Sequence, residues 1–167
     1  MGAAMADEII GLGGRIEALR PQVRRLYETW KRWCGARRMP MRADIAPEQL
    51  RDLLPFVAIF AAAPDPADCR YELAGTMIET VQGRSLKGLT IRDTVGPGAP
   101  YAVTGIASIY AQVIAGALPS FSRGSMSYQD RGYIEFDRLL LPLAADGTAV
   151  DHILAGIFYD KDLLRGG

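Results

Sequence analysis

Residues 69–95 read CRYELAGTMIETVQGRSLKGLTIRDTV, and the punctuation of this stretch decides the fold. Tyr71 and Leu73 alternate with Arg70 and Glu72, the period of a half-buried strand. Gly75 interrupts it. Thr76 followed three residues later by Glu79 has the spacing of a capping box, in which hydroxyl and carboxylate each take an orphan backbone donor at a helix start. Met77, Ile78 and Val81 give that helix an apolar face, and Gly83 supplies the left-handed residue that ends a helix abruptly. Gly88 follows after Arg84 and Lys87. A strand, a helix of one or two turns and a glycine-punctuated loop make one wall of a small cavity rather than a layer of parallel sheet.

Toward the N-terminus, residues 56–63 form a continuous apolar run that reads as a strand, turned into the next one by Pro64-Asp65-Pro66. Before it, Pro47 fits the first position of a short helix over 48–54, with acidic residues early, and Pro55 closes it. Further upstream, Leu19, Val23, Leu26, Tyr27, Trp30 and Trp33 recur in steps of three and four, one face of an amphipathic helix whose other face carries Arg20, Arg24, Glu28 and Lys31. Such a helix must cover either its own sheet or a second subunit. The stripe predicts a homodimer interface. Residues 1–14, with Gly2, Gly11, Gly13 and Gly14, are expected to fray unless another chain offers Ile9, Ile10 and Leu12 a surface.

Toward the C-terminus, Gly96-Pro97-Gly98 reads as a hinge, and Pro100 opens a helix to about residue 117 with Ala102, Ile106, Ile109, Tyr110, Val113 and Ala117 on one face. Three strands follow at 120–129, 133–143 and 150–159. Turns at Asp130-Arg131-Gly132 and Ala145-Asp146-Gly147-Thr148 separate them. The expected fold is α+β: a five-stranded antiparallel sheet with helices on one face and a long N-terminal amphipathic helix. Three segments result: an N-terminal extension and helix (1–36), the domain proper (37–160) and a tail (161–167).

Several motifs resemble those of a bacterial family of PAS-like domains. Arg70-Tyr71-Glu72-Leu73-Ala74-Gly75-Thr76 and 83–88, GRSLKG, are similar to its RYRLAGT and GRDLTG signatures. Leu26-Tyr27-Glu28-Thr29-Trp30 resembles its L-x-x-Y-W helix, the segment 39–47 (MPMRADIAP) its P-x-R-x-D-I-D-P segment, and 138–143 (RLLLPL) its RLLLPL strand. Glu72 stands where the family usually has a second arginine, and Ala46 where it usually has aspartate. The resemblance spans roughly residues 20 to 160 and implies a sensory or regulatory module of PAS architecture.

Composition sets bounds on function. The chain has 167 residues, 49% apolar and 23% charged, which is globular rather than disordered. Nineteen basic and nineteen acidic residues cancel, so nothing in the overall charge favours nucleic acid. Cys34 and Cys69 form no C-x-x-C and no disulfide framework, and read as reduced thiols of a cytoplasmic protein. The start, MGAAMADEII, lacks the basic residues of a signal peptide, Ala6 stands where a myristoylation motif has Ser or Thr, and the longest apolar run, 56–63, is too short for a membrane span.

Reactive chemistry is sparse. His152, next to Asp151, is the sole histidine, and with two isolated cysteines it makes no zinc set. A flavin domain of the LOV type would carry a GxNCRFLQ-like helix, and a haem-binding PAS domain a histidine on the long helix; neither is present. No catalytic residue, metal or identified cofactor is expected. Candidate pocket residues are Tyr71, Met77, Ile78, Val81, Ile106, Tyr110, Phe121, Ile134, Phe136, Leu140 and Ile157, with Tyr128 and Tyr133 as further hydroxyls. The expected function is a non-enzymatic sensory module that binds a small ligand, a partner signalling protein, or both, and signals through its N-terminal helix. The alternatives are a small enzyme using His152 and Asp151, or a ligand-free structural dimer.

Overall fold

In the computed structural model, the described residues are 9–14, 16–95, 100–126 and 131–160, the side chains of 131–133 excepted. Five strands, β1 (Val57–Ala61), β2 (Arg70–Ala74), β3 (Ser120–Met126), β4 (Arg131–Leu143) and β5 (His152–Tyr159), pair antiparallel in the order β2-β1-β5-β4-β3. The helices are α1 (Pro21–Cys34), α2 (Thr76–Gln82), α3 (Ile91–Val95) and α4 (Pro100–Gly116).

Alternation along the strands divides the interior into two cores. Ala58, Phe60, Tyr71, Phe136, Leu140, Ile153, Ala155 and Ile157 pack with Ile78, Val81, Ile91, Tyr110 and Val113 of α2, α3 and α4. The intervening residues, Val57, Ile59, Leu139, Leu141, Leu154 and Phe158, meet α1 on the opposite side. Helices therefore cover both faces of the sheet.

This placement gives the predicted dimer stripe a partner within its own chain. Leu19, Val23, Leu26, Tyr27 and Trp30 are at most 8% exposed within one chain, and Trp30 Nε1 donates to the Pro142 carbonyl at 3.0 Å. Trp33, at the margin, donates to Gln49 Oε1 at 2.8 Å. A dimer through this stripe would require α1 to leave its own sheet. The helix begins with Pro21 at its first position, where a missing N–H costs nothing. It ends at Gly35, where Arg37 donates to the Cys34 and Trp33 carbonyls at 3.2 and 2.7 Å.

Other local expectations change in detail. The capping box at Thr76 is not formed: Gly75 is the N-cap, without a side-chain cap. Glu79 Oε2 instead accepts from Leu86 N at 2.7 Å and shapes the following loop. Gly83, at φ 77°, does end α2. Leu73 is 38% exposed because the register shifts between Ile59 and Phe60 and takes it off the inward alternation. The helix expected over 48–54 is two 3-10 turns, Pro47–Gln49 and Arg51–Phe56, with Pro55 inside the second. Gly75 fits against that turn so tightly that an added Cβ would lie 2.3 Å from the Pro55 carbonyl oxygen.

Ile9 and Ile10 dock on their own chain: Ile10 bridges Ser120 in parallel, donating to Pro119 O and accepting from Phe121 N, each at 2.8 Å. At the other edge, Tyr71 N donates to Leu89 O, Gly88 N to Tyr71 O and Ile91 N to Cys69 O. The 96–98 hinge, the start of the 130–132 turn and Tyr128 lie outside the described residues, as does the side chain of Tyr133.

Candidate functional site

Two recesses flank α4. One is an open groove of about 360 Å³ between the 66–68 turn and α4, lined by Asp65, Ala67, Arg92, Val103, Ala107 and Ala111. The other is a cavity of about 30 Å³ between the sheet and α3/α4. Of the predicted pocket residues, Tyr71, Ile106, Tyr110, Phe136 and Ile157 line this cavity. Met77, Ile78, Val81, Ile134 and Leu140 belong to the surrounding core without lining it. Phe121 is on the wrong side for this role: it packs in the core beneath α1, because its place in β3 gives it the opposite strand parity from the inward residues.

The cavity also holds a residue that the sequence reading passed over, Arg138. Its position in β4, between Phe136 and Leu140, puts it on the inward face. It is 6% exposed. Its Nη1 donates to Ser122 Oγ only at 3.5 Å, its guanidinium lies 5.0 Å from the Phe136 ring centroid, and its Nε has no acceptor. A guanidinium does not deprotonate in proteins, and removing an uncompensated charge from water costs on the order of several kcal/mol. The Phe136 face offsets part of that. The lining contains no Asp or Glu among the described residues. The missed signal was alternation: a charged residue at the same strand parity as Phe136 and Leu140 points inward.

The neighbour Asp137 faces the other way. It is 5% exposed and accepts from Arg20 Nε and Arg123 Nη1, each at 2.6 Å. Asp160 extends the network, accepting from Arg20 Nη2 at 2.7 Å and Arg123 Nη2 at 2.9 Å. The Arg20 hydrogen bond holds the Asp160 carboxyl below its ordinary pKa against the opposing effect of burial, and Arg123 adds to this. Arg20 immediately precedes α1, so these contacts pin the start of the helix to the sheet.

His152 sits at the other end of β5. Its Nδ1 lies 2.8 Å from Asp151 Oδ1 and its Nε2 3.1 Å from both Glu72 carboxylate oxygens, while Arg42 Nε lies 3.7 Å from Glu72. Glu72, the departure from the family pattern, thus gives the histidine a second carboxylate. Both ring nitrogens are thus engaged by carboxylates. Cys34 and Cys69 are buried and free. Burial pushes the Cys34 thiol up to about 11, despite Arg37 and Lys31, and raises Cys69 as well. Neither is an activated nucleophile. Among the described residues no cluster of His, Cys, Asp or Glu could hold a metal ion, and no helix is long and apolar enough to cross a membrane.

The antiparallel order β2-β1-β5-β4-β3 with a helical segment between β2 and β3 is the PAS arrangement. The PAS domain of BvgS from Bordetella pertussis is similar, with a TM-score of 0.50 and 19% identity over 71% of this chain and 91% of that one. Among curated proteins nothing matches the chain. A family model described as PAS domain matches residues 19–158, and the chain belongs to that family, whose members are as a class sensory and regulatory modules.

Proposed function

We propose that the protein is a non-enzymatic sensory module in which occupancy of the small interior cavity is communicated across β4 to α1. The observation that carries this reading is the adjacency of Arg138 and Asp137, one lining the cavity and the other ion-paired to Arg20 at the start of α1. A ligand that draws Arg138 into a new position moves the β4 backbone, and the Asp137 contacts with Arg20 and Arg123 are the first to respond. Such a switch needs two arrangements whose balance the ligand biases. The output goes to a second polypeptide meeting the exposed face of α1, where Arg25, Glu28, Lys31 and Arg32 lie. The cytoplasm, where free thiols persist, is the fitting compartment.

The test is a thermal-shift panel of small metabolites on the full chain, with the emission of Trp30 recorded in a Trp33→Phe background. The expected result is a compound that raises the melting temperature and changes Trp30 emission, with the emission change lost in Asp137→Asn. A ligand that binds in the cavity and leaves both Trp30 emission and hydrogen exchange in α1 unchanged overturns the reading.

A further inference from the structure

The interior cavity carries a specific chemical demand. We propose that it is an anion site, built to hold a small planar monoanion with two oxygens on one edge, of the class of formate, nitrate or bicarbonate, against the guanidinium of Arg138. The inference rests on the sensory reading above and names the ligand class for it.

Three observations converge. Arg138 is 6% exposed and its Nε is buried without an acceptor, so the edge of the guanidinium that takes two parallel oxygens carries an unmet hydrogen-bond demand. The nearest carboxylate in sequence, Asp137, is turned to the opposite face and already held by two arginines. The cavity measures about 30 Å³, roughly two to three times the 10–15 Å³ that a single enclosed water needs. That admits an ion of about three or four heavy atoms with small adjustments of the wall and excludes longer carboxylates unless Phe136 or Met126 moves. Gly124, opposite Phe136 in the β3–β4 pairing, leaves the Phe136 ring its place beside Arg138: an added Cβ would lie 2.7 Å from that ring. A neutral ligand would leave the charge uncompensated, and a cation would add to it.

The experiment is a titration of ¹⁵N-labelled full-length protein with sodium formate and sodium nitrate at fixed ionic strength, with sodium sulfate and sodium hexanoate as controls for charge and size. The Arg138 Nε–H signal is assigned by its loss in Arg138→Lys. The expected result is a saturable shift of that signal with formate or nitrate and none with sulfate or hexanoate. Binding, followed by the melting temperature, should weaken at least about tenfold in Arg138→Lys, which keeps the charge and loses the fork, and vanish in Arg138→Gln. No saturable shift with either small anion, or an equal response in Arg138→Gln, overturns the proposal. If Arg138→Gln does not fold, the wild-type titration and the lysine variant decide. Trp30 emission in the same titrations separates the two readings. Saturation without an emission change keeps the anion site and removes the sensory coupling. An emission change caused by a neutral metabolite, with no response to anions, does the reverse.

Discussion

Leu26 of α1 rests on the bare backbone of Gly156 in β5: a Cβ at that glycine would lie 2.4 Å from Leu26 Cδ2 and 2.8 Å from Phe158 Cε2. The helix approaches the sheet this closely because one side chain is missing. Gly156→Ala forces both neighbours from their places in a fully packed core, and overpacking of that kind costs about 1–3 kcal/mol. Urea unfolding should show the loss, accompanied by faster hydrogen exchange in α1. An unchanged midpoint would mean that α1 is held more loosely than the contact implies.

Trp30 anchors the same helix, buried to 5% exposure and donating to the Pro142 carbonyl. Trp30→Ala should cost about 3–5 kcal/mol through the cavity it leaves. Trp30→Phe keeps most of the volume but leaves the carbonyl without its donor, at about 1–3 kcal/mol. Sedimentation of the folded variants should match wild type, since the ring meets its own sheet; a change in self-association with stability intact would restore the stripe as an interface.

The Asp137 network offers a contrast between buried and exposed ion pairs. Asp137→Ala removes the buried partner that Arg20 and Arg123 share, but Asp160 still accepts from both and their side chains remain 23% and 49% exposed, so the loss should be about 1–3 kcal/mol, below the range for a fully buried broken pair. Removing the exposed Arg25–Asp52 pair should leave the unfolding midpoint where it is. Equal effects at the two sites would contradict the role given to Asp137.

Acid should act through a small set of carboxylates. Asp160 is lowered first by its hydrogen bond from Arg20, Asp93 by the Thr90 N–H and hydroxyl, and Asp44 by the Met41 N–H, with Arg37 adding to it. Each folded pKa lies below its unfolded value, so the fold binds fewer protons there than the unfolded chain does. Their contribution is present above the ordinary carboxylate pKa of about 3.9 and is lost as pH falls toward the lowered folded values. Stability measured by urea should drop below about pH 4, and Asp160→Asn should reduce the slope of that drop. A slope unchanged in the variant would remove Asp160 from the acid limb.

The element order was legible because its boundaries are chemical: Gly83 ends α2, Pro100 opens α4 and Gly147, at φ 78°, turns β4 into β5. The destination of the α1 stripe was not, since a period of three and four reports that a face is buried and not what buries it. Glu79 shows a second limit. Its spacing from Thr76 fits a cap, but Leu86 N, seven residues on, is the donor it meets, and no local pattern encodes that choice. At the cavity, inward apolar residues such as Tyr110 and Phe136 were readable from periodicity. Arg138 opens the apolar motif RLLLPL, whose hydrophobicity identifies a strand without announcing that its one charge faces the interior.

The edges of the sheet govern how the molecule can meet others. β2 is already paired through Cys69 and Tyr71 to the 88–91 segment, and β3 is bridged at its first residues by Ile10. A visiting strand would find on β3 only the remainder, which contains Gly124 and a register break after Ser125. Polymerisation by strand addition along these described stretches is thereby obstructed, and the sheet guards itself against edge-to-edge growth.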